Sequence, residues 1–214
     1  MYANLKEYVK ENKDFLGASV FAVILLAASF VVNFYAGTYA NLSVSNSVTD
    51  LILSHIRTFD LDGIFIYGAV VFWMFIIFLC LYRPRRIPFV AKSLALFILI
   101  RSIFITLTHI APPVGHIIIP VTSIFDKISF DGDLFFSGHT GLPFLMALVF
   151  WDNKYLRYLF IATSIFFGAV VLMAHLHYSI DVLAAFFITF TVYHMAEKFF
   201  KKDQQIFISG IRHD

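Results

Sequence analysis

Four ionisable residues stand inside otherwise apolar runs of the chain: Arg101, His139, His177 and Asp181. A charge in hydrocarbon is costly, so such a residue is a functional candidate by default. His177 and Asp181 are four positions apart, a spacing that stacks them on one face of a helix. A carboxylate so placed can accept the proton-bearing nitrogen of the imidazole and leave the other nitrogen as a nucleophile. His139 comes from a separate element, beside Gly138, whose missing side chain permits close approach of backbone to a ligand. Ser137 is placed to cap a helix starting there, and the free N–H groups of that first turn suit an anion. A nucleophilic histidine with an orienting aspartate, a second histidine as acid, a cation and a helix N-terminus together make a phosphoryl-transfer set. Each has a plainer reading when taken singly. Asp181 can be a structural partner of His177 alone, and Arg101 can pair with Asp133 or snorkel outward. His109, His116, His175 and His194 are read in the plain way, as histidines bonded to carbonyl oxygens.

The elements that must carry these residues are membrane spans. The chain has 214 residues, 60% of them hydrophobic and 14% charged, with 27 phenylalanines. A water-soluble domain is nearer about 45–50% apolar and about 25% charged. Apolar runs occupy Phe15–Ala36, Gly63–Tyr82, Pro88–Ile110, Ser137–Trp151, Tyr155–His175 and Tyr178–Phe200. Most approach the roughly 20 residues that cross a hydrocarbon core of about 30 Å. Backbone in lipid must satisfy its own hydrogen bonds, so these runs are helices and the fold expected is an all-α, six-span bundle. The first run is too long for a signal-peptide core and is read as a retained span. Counted from the basic ends of their spans, Arg101, His139 and Asp181 stand about 21, 18 and 28 Å up, all in the same half of the bilayer. The fourth run is short of a full crossing, so its N-terminus should begin below the surface. Cys80 is the single cysteine and forms no intrachain disulfide.

Orientation follows from lysine and arginine. One side would hold Lys6, Lys10, Lys13, Arg83, Arg85, Arg86, Lys92, Lys154, Arg157, Lys198, Lys201, Lys202 and Arg212; the other holds Arg57 and Lys127. Both termini are thus expected in the cytoplasm and the site toward the extracytoplasmic face. A single membrane domain is expected, with residues 1–14 as an interfacial segment, 15–200 as the catalytic bundle and 201–214 as a cytoplasmic tail. Leu5, Tyr8 and Val9 share a face that suits a helix in the membrane plane. Val48, Leu51, Ile52, Ile56 and Phe59 recur at helical spacing after a cap at Ser47, and fit either such a helix or ordered loop turns. No basic run is interleaved with aromatics, so no nucleic-acid partner is expected.

The stretch Gly132–Asp133–Leu134–Phe135–Phe136–Ser137–Gly138–His139–Thr140 resembles the Ser-Gly-His motif of the type 2 phosphatidic acid phosphatase superfamily, and within it the sphingomyelin synthase branch. His177–Tyr178–Ser179–Ile180–Asp181–Val182, continuing through Ala185, Thr189, Tyr193 and His194, resembles the last motif of that branch. Arg101, with Thr106, Leu107 and Pro112–Pro113, is similar to its third-span motif. The resemblance implies that His177 attacks phosphorus and becomes phosphorylated, that Asp181 orients it, and that His139 protonates the leaving alcohol and then activates the acceptor. It implies no metal and no cofactor. It also implies a phospholipid donor and a lipid alcohol, ceramide or diacylglycerol, as acceptor on the outer side. The phosphatase branch carries a Lys/Arg-Pro motif and a Ser-Arg pair before the last histidine; here Val170 and Val171 stand at the latter place.

That difference bears on the substrate. A phosphomonoester carries about −1.5 to −2 charges near neutral pH and calls for several cations. A phosphodiester carries one charge and needs fewer. Phe130, Phe135, Phe136 and Tyr178, with Asp131 and Asp133, are candidates to hold an ammonium head group by cation–π contact. Alternative functions are hydrolysis by the same residues, as a phosphatase or phospholipase C with water as acceptor, and a non-enzymatic haem protein with His139 and His177 as axial ligands. A transporter is disfavoured by the short chain and the absence of repeats.

The topology is open to a direct check. With Cys80 replaced by serine, single cysteines at Asn41 and Lys127 should react with an impermeant thiol reagent on intact cells, and one at Arg85 should not. Labelling at Arg85 without labelling at Lys127 reverses the orientation.

Overall fold

The structure is a computed structural model, and it describes residues 13–115 and 134–209. These residues form helices and two 3₁₀ turns, with no strand among them. The helices are α1 (Lys13–Leu42), α2 (Asp62–Tyr82), α3 (Ile87–Leu107), α4 (Gly138–Val149), α5 (Lys154–Met173), α6 (Ser179–Phe199) and α7 (Lys201–Ser209). Five of them are long and apolar enough to cross a membrane, and α4 is a shorter apolar helix. The chain is an all-α integral membrane protein, and six spans fit it when α4 is taken as the short one. The expected interfacial segment falls on residues 1–14, almost wholly outside the described residues, as do Lys127, Asp131 and Asp133.

α3 is the central element. About 61% of its most apolar window is buried inside the protein, against 17% for α1 and for α2. α1 packs along α3. Ala22, Ser29, Ala36 and Ala40, all buried, repeat on one face of α1 and let the two helices approach closely. The other apolar residues of α1 and α2 remain exposed, as lipid-facing helices require. The core proper is aromatic: Phe89, Phe97 and Phe136 from the α3 side pack with Leu145, Met146 and Phe160.

Span ends shift from those expected for identifiable reasons. α1 continues six residues past Ala36 through polar Thr38 and Asn41, because the helix outlasts its apolar run; the Thr38 hydroxyl returns to the Phe34 carbonyl, 2.8 Å away. α4 is shorter than its apolar run and ends at Val149, where Phe150 and Trp151 turn back into the Asn153 cap of α5. Residues 48–59 do not form a membrane-plane helix. They are loop, with a turn from Leu51 that contains the 3₁₀ stretch Leu53–His55. Leu53 packs with Leu134 and Tyr178, and Ile56 joins them, so these apolar side chains have a protein surface instead of lipid. Ser47 caps nothing here; Asp50 does, accepting from Ile52 N (2.8 Å) and Leu53 N (3.0 Å).

At the end opposite the histidine site, the segment expected as a tail folds back as α7. Lys92 Nζ of α3 meets Asp203 Oδ2 of α7 at 2.6 Å, both largely buried. Nearby, the Arg86 guanidinium donates to the Leu79 carbonyl (3.1 Å) and lies over the Phe150 ring. Removing one partner of a buried pair strands the other charge, at a cost of about 3–5 kcal/mol. Lys92→Met is therefore expected to lower the thermal midpoint of the detergent-solubilised protein sharply, and adding Asp203→Leu should restore most of it. Equal losses in the single and double variants would show that the pair carries no such role.

Candidate active site

The site is built where α3, α4 and α6 meet. α4 starts at Gly138 because Ser137 caps it, its hydroxyl accepting from Thr140 N at 3.4 Å. Ser137 N in turn donates to the carbonyl of Asp181 at 3.2 Å, which binds the start of α4 to the first turn of α6. Arg101, buried on α3, donates from Nε to the Phe136 carbonyl at 2.9 Å. A side chain on Gly138 would stand 3.5 Å from that same nitrogen, so the guanidinium lies against the opening of α4. A guanidinium is thereby held against the positive end of a helix, the end at which anions are favoured.

His139 is the second residue of α4. Its ring stacks on Phe65, 3.9 Å between centroids, and meets Phe167 edge-on at 5.7 Å. It interacts electrostatically with both His177 and Arg101. Pro143, four residues on, has no N–H to give to the His139 carbonyl, so this turn of α4 lacks one helical bond. Ser164 of α5 braces the next carbonyl, donating to Thr140 O at 2.7 Å. Gly141 is required by packing: a Cβ there would come within 2.8 Å of the Phe97 ring and 2.9 Å of the Thr189 hydroxyl.

His177 and Asp181 meet, though not as expected. α6 begins at Ser179, so His177 precedes the helix and the two residues do not stack on consecutive turns. Asp181 is the third residue of α6, and its carboxylate reaches back to Tyr178 N at 2.9 Å, half of a capping box. The same oxygen stands 3.5 Å from His177 Nδ1, an ion-pair separation longer than a hydrogen bond. Both side chains are buried. His177 sits on the short link from Met173 to Ser179, in which His175 adopts a left-handed φ of 53°.

Other candidates have different occupations. Phe136 is fully buried between Phe97 and Phe104, and Tyr178 is 2% exposed, its hydroxyl donating to Ala111 O (2.8 Å) and accepting from Val48 N (3.1 Å). Neither is available as a wall of an ammonium cage; both are fixed in packing. Phe135 is half-buried against Phe104. Asp133 lies outside the described residues. His175 faces two carbonyls, Val114 O and Ile56 O, each at 3.2 Å, as a structural histidine does. His194 differs from expectation in pairing with a carboxylate, Glu197, at 2.8 Å. His109 meets the Tyr39 ring instead. Among the described residues no group of three histidine, cysteine or acidic side chains is placed to hold a metal ion.

Sequence reasoning did not single out Phe65, Ser164, Pro143 or Asp50. Asp50 carried a signal, an aspartate just before an apolar turn, which is a cap pattern.

The fold and site define a helical membrane protein with two histidines, an aspartate and an arginine converging at one helix N-terminus. Residues 132–198 match the family model described as PAP2 superfamily C-terminal, a stretch that holds both histidines and the aspartate. The match spans under a third of the chain, and over that stretch the chain is similar to the PAP2 superfamily. Searches of curated proteins and of solved structures find no match.

Proposed function

We propose that the chain is a lipid phosphotransferase that moves a phospho-head group from a phosphodiester glycerolipid to a lipid alcohol, in the manner of the sphingomyelin synthase branch, at the extracytoplasmic face. The observation that carries this reading is the convergence of His139, His177, Asp181 and Arg101 at the N-terminus of α4. In the first half-reaction the free nitrogen of His177 attacks phosphorus and the bond to the glycerolipid oxygen breaks. His139 gives its proton to that oxygen, and diacylglycerol leaves. In the second, His139 takes the proton of the acceptor hydroxyl, whose oxygen attacks phosphorus and releases His177. Asp181 orients the His177 ring and balances the positive charge that develops on it. Arg101 and the first turn of α4 receive the phosphoryl oxygens.

Two further features favour a diester lipid. Among the described residues, the arginines and lysines at this end of the bundle are Arg101 and Arg57, and Arg57 lies over the Phe59 ring. Val170 and Val171, where the phosphatase branch carries its extra cation, are buried in packing at 4% and 0% exposure. A doubly charged monoester would thus find little compensation. Beside the site, α2 and α5 leave an apolar groove of about 590 Å³ lined by Tyr67, Gly68, Val71, Phe72, Phe166 and Phe167 among others. Phe167 also touches His139, so an acyl chain in the groove would bring its head group to the acid–base residue.

The test compares phosphatidylcholine, phosphatidylethanolamine and phosphatidic acid as donors for the protein in liposomes, with ceramide or diacylglycerol as acceptor. Diester donors should be consumed with release of diacylglycerol, and chelators should do little. His177→Ala should abolish turnover, and His139→Ala should lower it by about 10²–10⁴-fold. Fastest consumption of phosphatidic acid with release of inorganic phosphate would favour the phosphatase, and full activity of His177→Ala would remove the nucleophile from the scheme.

A further inference from the structure

The segment between α1 and α2 runs as a strap over the site end of the bundle. Ser45 donates to the His109 carbonyl from both its amide and its hydroxyl, each at 2.7 Å. Val48 N reaches the Tyr178 hydroxyl, and Phe59 N donates to the Met173 carbonyl at 2.9 Å. Between these points stands Asp50. Its Oδ1 accepts from Ile52 N and Leu53 N and closes the turn of the strap. Its Oδ2 leaves the strap and accepts from Ser179 twice, from the amide at 2.7 Å and from the hydroxyl at 2.8 Å. Burial opposes the charge on Asp50, but these donors outweigh it and hold the carboxyl below the usual aspartate range.

Ser179 is the first residue of α6 and lies two residues beyond His177. His177 has no helix of its own to hold it. Toward α5 the link is fixed by Leu176 N bonding to Val171 O and by the His175 ring between two carbonyls. Toward α6, Asp181 divides one carboxylate oxygen between Tyr178 N and the His177 ring. On the same side the Tyr178 hydroxyl is pinned to Ala111 O and Val48 N, which holds the ring of that residue, while the bonds from Ser179 to Asp50, charge-assisted and short, fix the backbone where α6 begins.

We propose that Asp50 is a positioning residue for His177, joining the α1–α2 strap to the first residue of α6 so that the imidazole is aimed at phosphorus. The proposal rests on the nucleophilic role given to His177 above. It makes the strap part of the catalytic apparatus, acting through the first residue of α6.

A proline at position 179 isolates the interaction. It removes both donors that Asp50 accepts, yet the first helical position tolerates proline, and Tyr178 before it has the extended backbone (φ −73°, ψ 156°) that proline demands of its predecessor. Asp50→Ala and Ser179→Pro should each lower kcat by about 10²-fold, as expected for a displaced nucleophile, with KM for phosphatidylcholine unchanged. The double variant should be no slower than either single one. Thr58→Ala, which cuts the bond from Thr58 to Gly115 O elsewhere in the strap, should leave kcat at the wild-type value. Should Asp50→Ala not fold, Ser179→Pro decides alone. Wild-type kcat in Ser179→Pro, or losses that multiply in the double variant, would overturn the proposal. His177→Ala assayed beside them separates the two levels: if it is inactive while the Asp50 and Ser179 variants match wild type, the positioning role alone fails; if it is fully active, the reading of His177 fails first.

Discussion

The hydrogen bond from Ser137 N to the Asp181 carbonyl, 3.2 Å long, joins the two segments that carry the histidines. On one side it sets the cap of α4, and so the place of His139 in its first turn, stacked on Phe65. On the other it sets the first turn of α6, and so the carboxylate that faces His177. Arg101 reinforces the same junction by holding the carbonyl of Phe136, the residue before Ser137. A bilayer offers no water to satisfy backbone groups such as these, so the protein supplies their partners, and each one supplied also fixes a geometry. Catalytic precision at this site is in that sense a consequence of satisfying the backbone.

The same constraint shapes the electrostatics. On the proposed reading, a helix N-terminus and the Arg101 guanidinium would meet a singly charged phosphodiester, and Val170 and Val171 are buried and apolar beside them. Asp181 and Asp50 sit on the other side of His177 in the chain's layout, one on the ring and one on the residue that begins α6. Were His177 the nucleophile proposed above, negative charge would stand where it becomes positive, and positive charge where phosphoryl oxygen would rest. Lys92 and Asp203 place a separate buried pair at the far end, where it secures α7 and takes no part in the chemistry.

Much of this was legible from residue types alone. The spans were visible because nothing but a helix can carry some twenty apolar residues through lipid. Arg101, His139, His177 and Asp181 were visible because polar side chains are conspicuous in such runs. Less visible was anything decided by contacts distant in sequence. Asp50 and Ser179 are 129 positions apart, and no local pattern pairs them. Spacing alone left Val48–Phe59 open between a membrane-plane helix and loop turns; it is the latter, because Leu53 and Ile56 pack on Leu134 and Tyr178, a surface that only the folded bundle provides. The four-residue interval from His177 to Asp181 suggested one helical face. The real contact arises because the helix starts between them and the aspartate turns back as a cap. Tyr178 and Phe136 looked like ligand aromatics and are pins in the packing, a distinction that burial decides and composition does not.

The central claim is that phosphorus becomes bonded to His177. It is tested most directly by mixing the wild-type protein with phosphatidylcholine in the absence of a lipid acceptor, quenching rapidly, digesting under alkaline conditions that spare phosphoramidates, and locating any adduct by mass spectrometry. The account requires a phospho-head-group adduct on the peptide containing His177, absent when His177 is replaced. An adduct on another residue, or product formed by the wild-type enzyme in rapid-quench samples with no adduct at any time, would contradict it.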